Sequence, residues 1–318
     1  AIMDEDGNWW VTGSKIFITS GHGKYHIVIA RSEDPEEAEG LNGLSLFLVE
    51  AYSEKDGKRV RHSTLERVDE KLGHHGSATV SISFDRSPAQ LIGKRGDGFR
   101  LMLMLMNNAR ISVGFEGIGL CEAAWRLARD YAQQRPSMGK TIDQHEMIAD
   151  MLDEMETDIL GLRALAIRAA QDEELSRRAT LAMKALPEDH PKAVAARREI
   201  RTRSMRSRQV TPLLKYLASE KAVDMARQCI QIHGGSGYMR EYGAEKLLRD
   251  SLVLPIYEGT SQIQCLMAMK DNLLPIFKKP GAFFGTLIST WLTAWFSLNG
   301  AQRGVARVRL RSQQAMLN

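Results

Sequence analysis

The sequence predicts an α+β protein, in which an antiparallel β domain is followed by a helical bundle. Up to about residue 92, short runs alternate apolar with polar residues and are rich in β-branched and aromatic side chains. From Phe99 onward, the apolar residues recur with the period of an α-helix. Hydrophobic residues make up 43% of the 318 residues and charged residues 26%, which excludes a disordered chain.

The β region contains one turn signal and four predicted strands. The turn lies at residues 6–8, and the strands are NWWVTGSKIFITSG, HIVIA, GLSLFLVE and SATVSISF. Pro88 and a cluster of three glycines at residues 93–98 close the region. Short strands at this spacing are typical of an antiparallel sheet or barrel.

The helical region begins with one long, methionine-rich segment at residues 99–135. A second long helix is predicted over about 143–186, and a polar insertion follows it. Residues 197–208 of this insertion hold six arginines and one glutamate without interleaved aromatic residues, which favours a solvated helix face over a nucleic-acid patch. Helices are expected to resume near Pro212 and to lead into a glycine-rich turn, HGGSGYM.

Several classes of site are excluded by composition and missing motifs. The formal net charge of +4 is too small to indicate a nucleic-acid partner. Cys121, Cys229 and Cys265 lie far apart without a CxxC pair, so we predict three buried thiols, no metal site and a reducing, cytoplasmic location. The fingerprints GxGxxG and GxxxxGK[ST], which mark dinucleotide-binding and P-loop folds, are missing.

The C-terminal region is apolar and then basic. Residues 282–298 carry no charge for 17 residues, which as a helix is about 25 Å and marginal against a bilayer core of ~30 Å. We therefore predict the buried start of another helical unit and no stable membrane span. No acidic residue follows Asp271, and a lipid- or nucleic-acid-facing tail stays open as an alternative. The predicted domains are residues 1–95, 96–275 and 276–318.

The segment PIYEGTSQ contains the sharpest candidate for catalysis. Glu258 ends an apolar run, and Gly259 after it lets a ligand approach the backbone. Burial of a carboxyl group in such a setting favours its neutral form. Its pKa therefore rises toward the range in which a carboxylate is a useful base. The alternative is an acid at a helix N-terminus, stabilised by the helix dipole.

Three further segments have the residue types of a ligand site. The glycines of QIHGGSG allow a phosphate or a partner chain to approach the backbone, although a helix-ending turn is the alternative. The tract RPSMGK places a cation beside small residues, which suits a diphosphate, although arginine also favours a helix end. The strand end FITS presents an aromatic ring and hydroxyl groups.

In this order and at these spacings, the four segments resemble the acyl-CoA dehydrogenase flavoprotein family. KIFITSG is similar to the family's W/F-I-T strand, RPSMGK to R-x-x-F-G-K, QIHGGSGYMREYGAEKLLRD to the Q-x-x-G-G-x-G…R-D block, and IYEGTSQIQ to Y-E-G-T-x-Q-I-Q. The resemblance runs from residue 1 to about 275. The polar insertion and the C-terminal segment are similar to a long bacterial subgroup with an additional C-terminal domain, which includes enzymes acting on methylmercaptopropionyl-CoA.

The resemblance implies an FAD-dependent α,β-dehydrogenation of an acyl-CoA thioester. Glu258 would remove the α-proton while the β-hydrogen leaves as hydride to the flavin, giving a trans-2-enoyl-CoA. The electrons would pass to electron-transfer flavoprotein. Some family members place the base just before the arginine that matches Arg110, but Ala109 stands there, so Glu258 is the remaining candidate. For Glu116, further along the same helix, we expect a structural role.

The remaining site residues follow from the matched motifs. The residues expected to bind FAD are Phe17, Thr19, Ser20, Arg135, Ser137, Gln231, Gly234, Gly235, Thr260 and Gln262. The residues expected to bind substrate are Ser32, Asn107, Arg110, Tyr257 and Gly259. In the family the cofactor site is partly shared between subunits, which implies a homodimer or homotetramer.

Departures from the family pattern keep two other functions open. Met138 stands where phenylalanine is usual and Glu146 where glutamine is usual, and the family's N-terminal helical domain and T-E-x-x-x-G-S-D motif are missing. We therefore expect the sequence to be a fragment of a larger enzyme. The alternatives are an acyl-CoA oxidase that uses oxygen and a flavin-binding, nucleic-acid-associated relative without dehydrogenase activity.

Overall fold

A computed structural model describes residues 1–36, 38–187 and 190–315, without the side chains of Pro275 and Ala315. The chain forms two compact units. The first comprises residues 1–170 and 214–261, and the second comprises residues 171–213 and 262 onward. Two residues of the polar insertion, 188 and 189, lie outside the described residues.

The first unit begins with an antiparallel sheet. The strands of the β region are β1 (Ile2–Met3), β2 (Trp9–Thr19), β3 (Tyr25–Arg31), β4 (Leu44–Glu50), β5 (Tyr52–Lys55), β6 (Lys58–Arg61), β7 (Ser63–Val68) and β8 (Thr79–Ile92). Six of them form one sheet in the order β1-β2-β8-β4-β3, with β7 also paired to β8, while β5 and β6 form a separate hairpin. The predicted antiparallel β domain is confirmed.

Alternation along these strands creates the core of the sheet. Apolar residues that point to one face bury together because successive side chains of a strand face opposite sides. The buried cluster consists of Trp9, Val11, Val28, Phe47, Val49, Ile82 and Phe84. Near its end, β2 changes register against β8 between Lys15 and Ile18, and Phe17 there has a positive φ of 60°. The irregularity turns the end of the strand out of the regular alternation.

Helices dominate the remainder of the chain. They are α1 (Gly98–Gln134), α2 (Glu146–Lys184), α3 (Pro191–His233), α4 (Ala244–Ser251), α5 (Ser261–Lys278), α6 (Pro280–Phe296) and α7 (Gly300–Ala315). A short hairpin of β9 (Pro136–Ser137) and β10 (Lys140–Thr141) joins α1 to α2. The predicted helical bundle is confirmed. Within the described ranges, no helix has the length and apolar character that a membrane crossing requires.

Small residues bring α1 and α3 into very close contact in the first unit. A Cβ atom added at Gly117 would lie 2.8 Å from the carbonyl oxygen of Ala218, and one at Gly114 would lie 2.6 Å from Leu214. Because any larger side chain at Gly117 would meet backbone, the helix axes can approach this closely only with glycine there. This contact fixes the separation of the two helices on which the candidate site is built.

The expectation that helices resume at Pro212 is wrong, because α3 runs through Pro212 without ending. Proline removes one backbone hydrogen bond and clashes with the preceding turn, at about 3 kcal/mol. In the second unit, bonds to neighbouring helices hold the residues just before it. Arg203 pairs with the buried Asp172 at 2.6 Å, and Arg208 pairs with Asp271 at 2.7 Å. The arginine run is thus helical, as expected, and partly engaged in ion pairs.

The expectation of a buried segment at residues 282–298 is also wrong. Helix α6 lies against α7 through small residues, since only Thr290 and Ala294 of α6 are buried. Its large side chains remain exposed, including Trp291 at 46% and Trp295 at 59%. The reason is that a narrow stripe of small residues suffices for this helix pair, so the large side chains stay at the surface, where the ring of Trp295 lies 5.5 Å from the guanidinium of Arg307 on α7.

The prediction of three buried thiols holds for Cys121 and Cys229 but not for Cys265, which is half-buried on α5. Burial raises the pKa of the Cys121 and Cys229 thiols to about 12, with Asp158 adding to the effect at Cys121. Since the thiolate is the reactive form, both should resist alkylation in the folded protein.

We therefore expect iodoacetamide at pH 8 to label Cys265 first, and to label Cys121 and Cys229 only after unfolding. Peptide mapping by mass spectrometry, with and without guanidinium chloride, measures this order. Equal labelling of all three cysteines in the native protein would contradict the burial of the two helix-core thiols.

Candidate active site

The loop between α4 and α5, residues 252–260, carries Glu258 in a strained conformation. Glu258 has a φ of 54° and Gly259 a φ of 92°, so two successive residues are left-handed. A non-glycine residue in this region costs about 1–3 kcal/mol and persists only where its surroundings enforce it. The Glu258 side chain is half-buried. A carboxyl group that is half-buried and held in a strained conformation is a candidate catalytic group.

Arg110 of α1 lies directly against this loop. It is 4% exposed, and its Nε donates a hydrogen bond to the backbone oxygen of Glu258 at 3.3 Å. Its Nη1 donates to Oδ1 of Asn107 at 3.4 Å. Burial lowers the pKa of Arg110, and the negative charge of Glu258 opposes that shift. The structure therefore brings Glu258, Arg110 and Asn107 together, as three of the predicted site residues.

Lys215 of α3 is a second cation at the loop, and the sequence interpretation missed it. Its side chain is fully buried, and its Nζ donates to the backbone oxygens of Leu254 at 2.7 Å and Gly259 at 2.8 Å. Burial lowers the pKa of Lys215 to about 8. The sequence signal was a single lysine within the apolar stripe of a helix, which contains Thr211, Leu214, Ala218 and Ala222.

Tyr257 connects the loop to Glu116 of α1. Its hydroxyl donates to Oε2 of Glu116 at 2.5 Å, and Nε2 of His74 lies 3.9 Å from Oε1 of the same carboxylate. Burial raises the pKa of Tyr257, and the bond to Glu116 raises it further. The phenol therefore stays protonated and acts as a donor at all ordinary pH values.

The segment that contains His74 is docked on α4. A Cβ at Gly73 would lie 2.5 Å from the backbone oxygen of Arg249, which only glycine allows. The backbone N–H of His74 donates to Oδ1 of Asp250 at 2.7 Å. Burial alone would raise the pKa of Asp250, but the bonds from Lys246 and His74 hold it below its usual range. The β domain and α4 are thereby joined beside the loop.

A second cluster forms where α1 and α3 end. Tyr131 stacks on His233 with ring centroids 4.3 Å apart, and its hydroxyl donates to Ser236 at 3.3 Å. Gly234 and Gly235 follow His233 in a 3₁₀ turn, and Gly234 has a φ of 59°. A Cβ at either glycine would meet no described atom within 4 Å, so this stretch of backbone is open to a ligand.

Three more predicted residues flank this second cluster. Arg135 follows α1 directly, with an exposed side chain, and its backbone N–H bonds to Tyr131. Ser137 lies in β9, and its carbonyl oxygen contacts His145 at 3.2 Å. Gln231 is exposed in the last turn of α3. An exposed guanidinium beside open glycine backbone suits a diphosphate.

The predicted residues of the β domain form a separate group. Phe17 is 69% exposed, and Thr19 and Ser20 follow it at the end of β2. Ser20 has a φ of 58° and donates its backbone N–H to the oxygen of Ala78 at 2.8 Å. These residues present an aromatic ring and hydroxyl groups at one end of the sheet.

Ser32, Thr260 and Gln262 are the remaining predicted residues. The hydroxyl of Ser32 lies 2.6 Å from that of Ser45 and donates to Glu33, inside the β domain. Thr260 directly precedes α5 and is exposed. Gln262 lies in the first turn of α5 and belongs to the second compact unit.

Comparison with known families decides the relationship. A family model described as the acyl-CoA dehydrogenase C-terminal domain matches residues 96–273, which is more than half of the chain. A second one, for the acyl-CoA dehydrogenase middle domain, matches residues 1–87. The chain belongs to the acyl-CoA dehydrogenase family. The resemblance seen in the four motifs is confirmed, and with it membership of a family of oxidoreductases.

Individual relatives agree with this assignment. The chain is 35% identical to the 3-methylmercaptopropionyl-CoA dehydrogenase of Ruegeria pomeroyi over 83% of its own length and 45% of that protein. It matches the structure of butyryl-CoA dehydrogenase from Megasphaera elsdenii with a TM-score of 0.67 and 28% identity, over 84% of the chain and 61% of that structure.

A further structural neighbour comes from a structure described as the electron transferring flavoprotein of Acidaminococcus fermentans. The TM-score is 0.68 and the identity 26%, over 86% of the chain and 62% of that chain. The chain therefore spans between 45% and 62% of the length of these relatives.

Proposed function

We propose that the protein containing this chain is an FAD-dependent acyl-CoA dehydrogenase that converts an acyl-CoA thioester into a trans-2-enoyl-CoA. The observation that carries the proposal is the half-buried carboxylate of Glu258, held at a φ of 54° on a loop that bonds to the buried Arg110. Strained, enforced conformations are typical of catalytic groups. Membership of the family supports the same reaction.

In this reaction Glu258 acts as the general base. Its carboxylate accepts the α-proton of the thioester, and the electron pair of that C–H bond moves toward the carbonyl carbon and then forms the C=C bond. The β-hydrogen leaves with its electron pair as hydride. Bound FAD would supply the acceptor for that hydride. The backbone N–H of Glu258 would donate to the thioester oxygen, where negative charge develops.

The residues present fit FAD. Arg135 and Ser137 offer donors for a diphosphate, and the open backbone at Gly234 and Gly235 lets it approach. The exposed ring of Phe17 offers an aromatic contact for the flavin ring. Thr19, Ser20, Gln231, Thr260 and Gln262 complete the set that we assign to the cofactor.

The substrate and the partners are assigned by the same reasoning. We assign acyl-CoA contacts to Ser32, Asn107, Arg110, Tyr257 and Gly259. Electron-transfer flavoprotein is the proposed protein that accepts the electrons from the reduced enzyme, and similarity to the Acidaminococcus structure supports this assignment. A homodimer or homotetramer and the domain limits 1–95, 96–275 and 276–318 belong to the proposal, and the family matches at 1–87 and 96–273 support a boundary near residue 95.

The Arg135→Ala variant is expected to lose FAD more readily than the parent protein while a saturated enzyme keeps its turnover. The exposed guanidinium is a charge-assisted donor for phosphate, worth about 1.5–3 kcal/mol, so the dissociation constant should rise roughly 10- to 100-fold. Flavin fluorescence during dialysis measures retention. The control variant is Arg129→Ala, because Arg129 also lies on α1 but packs over Trp125. We expect this variant to retain FAD as the parent protein does. Equal retention in all three proteins would remove Arg135 from the cofactor site.

An anaerobic absorption titration tests the proposed function. The purified protein is mixed with short-, medium- and long-chain acyl-CoA thioesters and with 3-methylmercaptopropionyl-CoA. The visible absorption band of the oxidised flavin is followed during each addition. Bleaching by one of them, with formation of the enoyl-CoA, supports dehydrogenation and identifies the acyl class. A bound flavin that none of these thioesters bleaches would overturn the proposal. Rapid reoxidation by oxygen in place of electron-transfer flavoprotein would indicate an oxidase.

A further inference from the structure

Lys215 is a fully buried ammonium group for which the proposed reaction has no use. Its two hydrogen-bond acceptors are the backbone oxygens of Leu254 and Gly259, which lie four residues before Glu258 and one residue after it. One side chain from α3 therefore bridges both ends of the segment 255–258. The left-handed pair Glu258 and Gly259 lies inside this bridge.

The desolvation of the charged Lys215 side chain is unfavourable, which argues against a purely structural role. Burying an ammonium group is strongly unfavourable unless other groups compensate its charge, whereas a methionine of similar length would pack without that cost. Two peptide oxygens offset part of the cost. Burial lowers the pKa of Lys215 to about 8. Because this value is still above neutral pH, the side chain keeps its charge there.

The charges around Lys215 come from three elements. Glu220 on its own helix and Glu258 in the loop favour the ammonium form, and Arg110 on α1 disfavours it. The ring of Tyr257 lies 6.0 Å from Nζ, and Tyr257 is itself bonded to Glu116. Glu258 is therefore influenced by two buried cations, Lys215 and Arg110, and each of them also bonds to the backbone of its loop.

We propose that Lys215 is a positioning residue of this active site: it clamps the loop 252–260 from both sides of Glu258, enforces the left-handed conformation there, and supplies positive charge to the carboxylate. The inference rests on the proposed function, in which Glu258 is the base. Lys215 influences the reaction only through Glu258 and its loop, since its bonds go to backbone oxygens of that loop.

The test compares Lys215→Met with Lys221→Met. Lys221 lies on the same helix but bonds to Asp158 and not to the loop, so its variant controls for the loss of a lysine from α3. For Lys215→Met we expect amide hydrogen exchange in residues 252–260 to become at least about tenfold faster, whereas Lys221→Met leaves it unchanged. We also expect kcat to fall about 10²-fold with KM nearly unchanged, because a misplaced base slows the chemical step.

Lys215→Gln separates the clamp from the charge. Its amide is one bond shorter, keeps N–H donors and is neutral. We expect slow exchange to be largely retained, while kcat falls less than in Lys215→Met, because the loop stays in place and only the positive charge is lost. This variant also serves if Lys215→Met does not fold.

The outcomes distinguish this inference from the proposed function. Parent-like exchange in the loop together with parent-like kcat in folded Lys215→Met protein would overturn the positioning role. If that variant does not fold, parent-like kcat in Lys215→Gln would overturn the contribution of the charge. If Glu258→Gln keeps full turnover, the assignment of the base fails, yet the exchange measurement still reports whether Lys215 holds the loop.

Discussion

Glu258→Gln is expected to lower turnover with acyl-CoA by roughly 10²- to 10⁴-fold while FAD stays bound. The amide has the size of the carboxyl group but cannot accept the α-proton. Arg110 and Lys215 hold this loop through backbone oxygens, so the substitution leaves both clamps in place. Stopped-flow measurement of flavin bleaching gives the rate of the chemical step, and the absorption spectrum of the oxidised protein reports cofactor retention.

Glu116→Gln is the matched control for that experiment. Glu116 also touches the site, since it accepts the hydroxyl of Tyr257, and a glutamine oxygen can accept the same bond. Turnover is therefore expected to stay within about tenfold of the parent value. If the two glutamates had equal effects, or if Glu258→Gln kept its activity, the base would have to be sought elsewhere.

The parts of the site that could be predicted from sequence are those carried by local motifs. Glu258, Gly259 and Thr260 stand in one continuous segment, and their neighbours in the chain suffice to indicate a loop that precedes a helix. The β domain was predictable for a similar reason, because alternation along each strand is visible without knowing the partner strand.

Lys215 could not be predicted in this way, because its partners are distant in sequence. The two carbonyl groups that it bonds are 39 and 44 residues further along the chain, and backbone oxygens leave no signature in the amino-acid sequence. A lysine within an apolar helical stripe indicates only that something must compensate its charge. Only the packing of α3 against the loop identifies that partner.

Two of the wrong expectations have a common physical origin. Helices were expected to resume near Pro212, and residues 282–298 were expected to be buried. Both inferences treat local preference as decisive. In the structure, ion pairs of Arg203 and Arg208 support α3 next to the proline. Likewise, α6 meets α7 through small residues, and its aromatic side chains stay exposed. Tertiary contacts decided both cases.

Gly117→Ala is expected to destabilise the protein by about 2 kcal/mol, although alanine is normally the better helix former. The added Cβ would lie 2.8 Å from the backbone oxygen of Ala218 and 3.0 Å from its carbonyl carbon, so a whole helix must move to make room. Gly119→Ala is the matched control on the same helix. Its Cβ would meet no described atom within 4 Å, so stability should rise by up to about 1 kcal/mol.

Urea unfolding of the two variants measures this pair of opposite effects, and a stabilised Gly117→Ala would contradict the close contact of α1 and α3. The contact also has a consequence for catalysis. Arg110 and Lys215 reach the loop of Glu258 from α1 and α3 respectively, so a wider helix separation moves one cation away from its backbone acceptor. Gly117→Ala should therefore lower kcat even at temperatures where the protein remains folded, whereas Gly119→Ala should not.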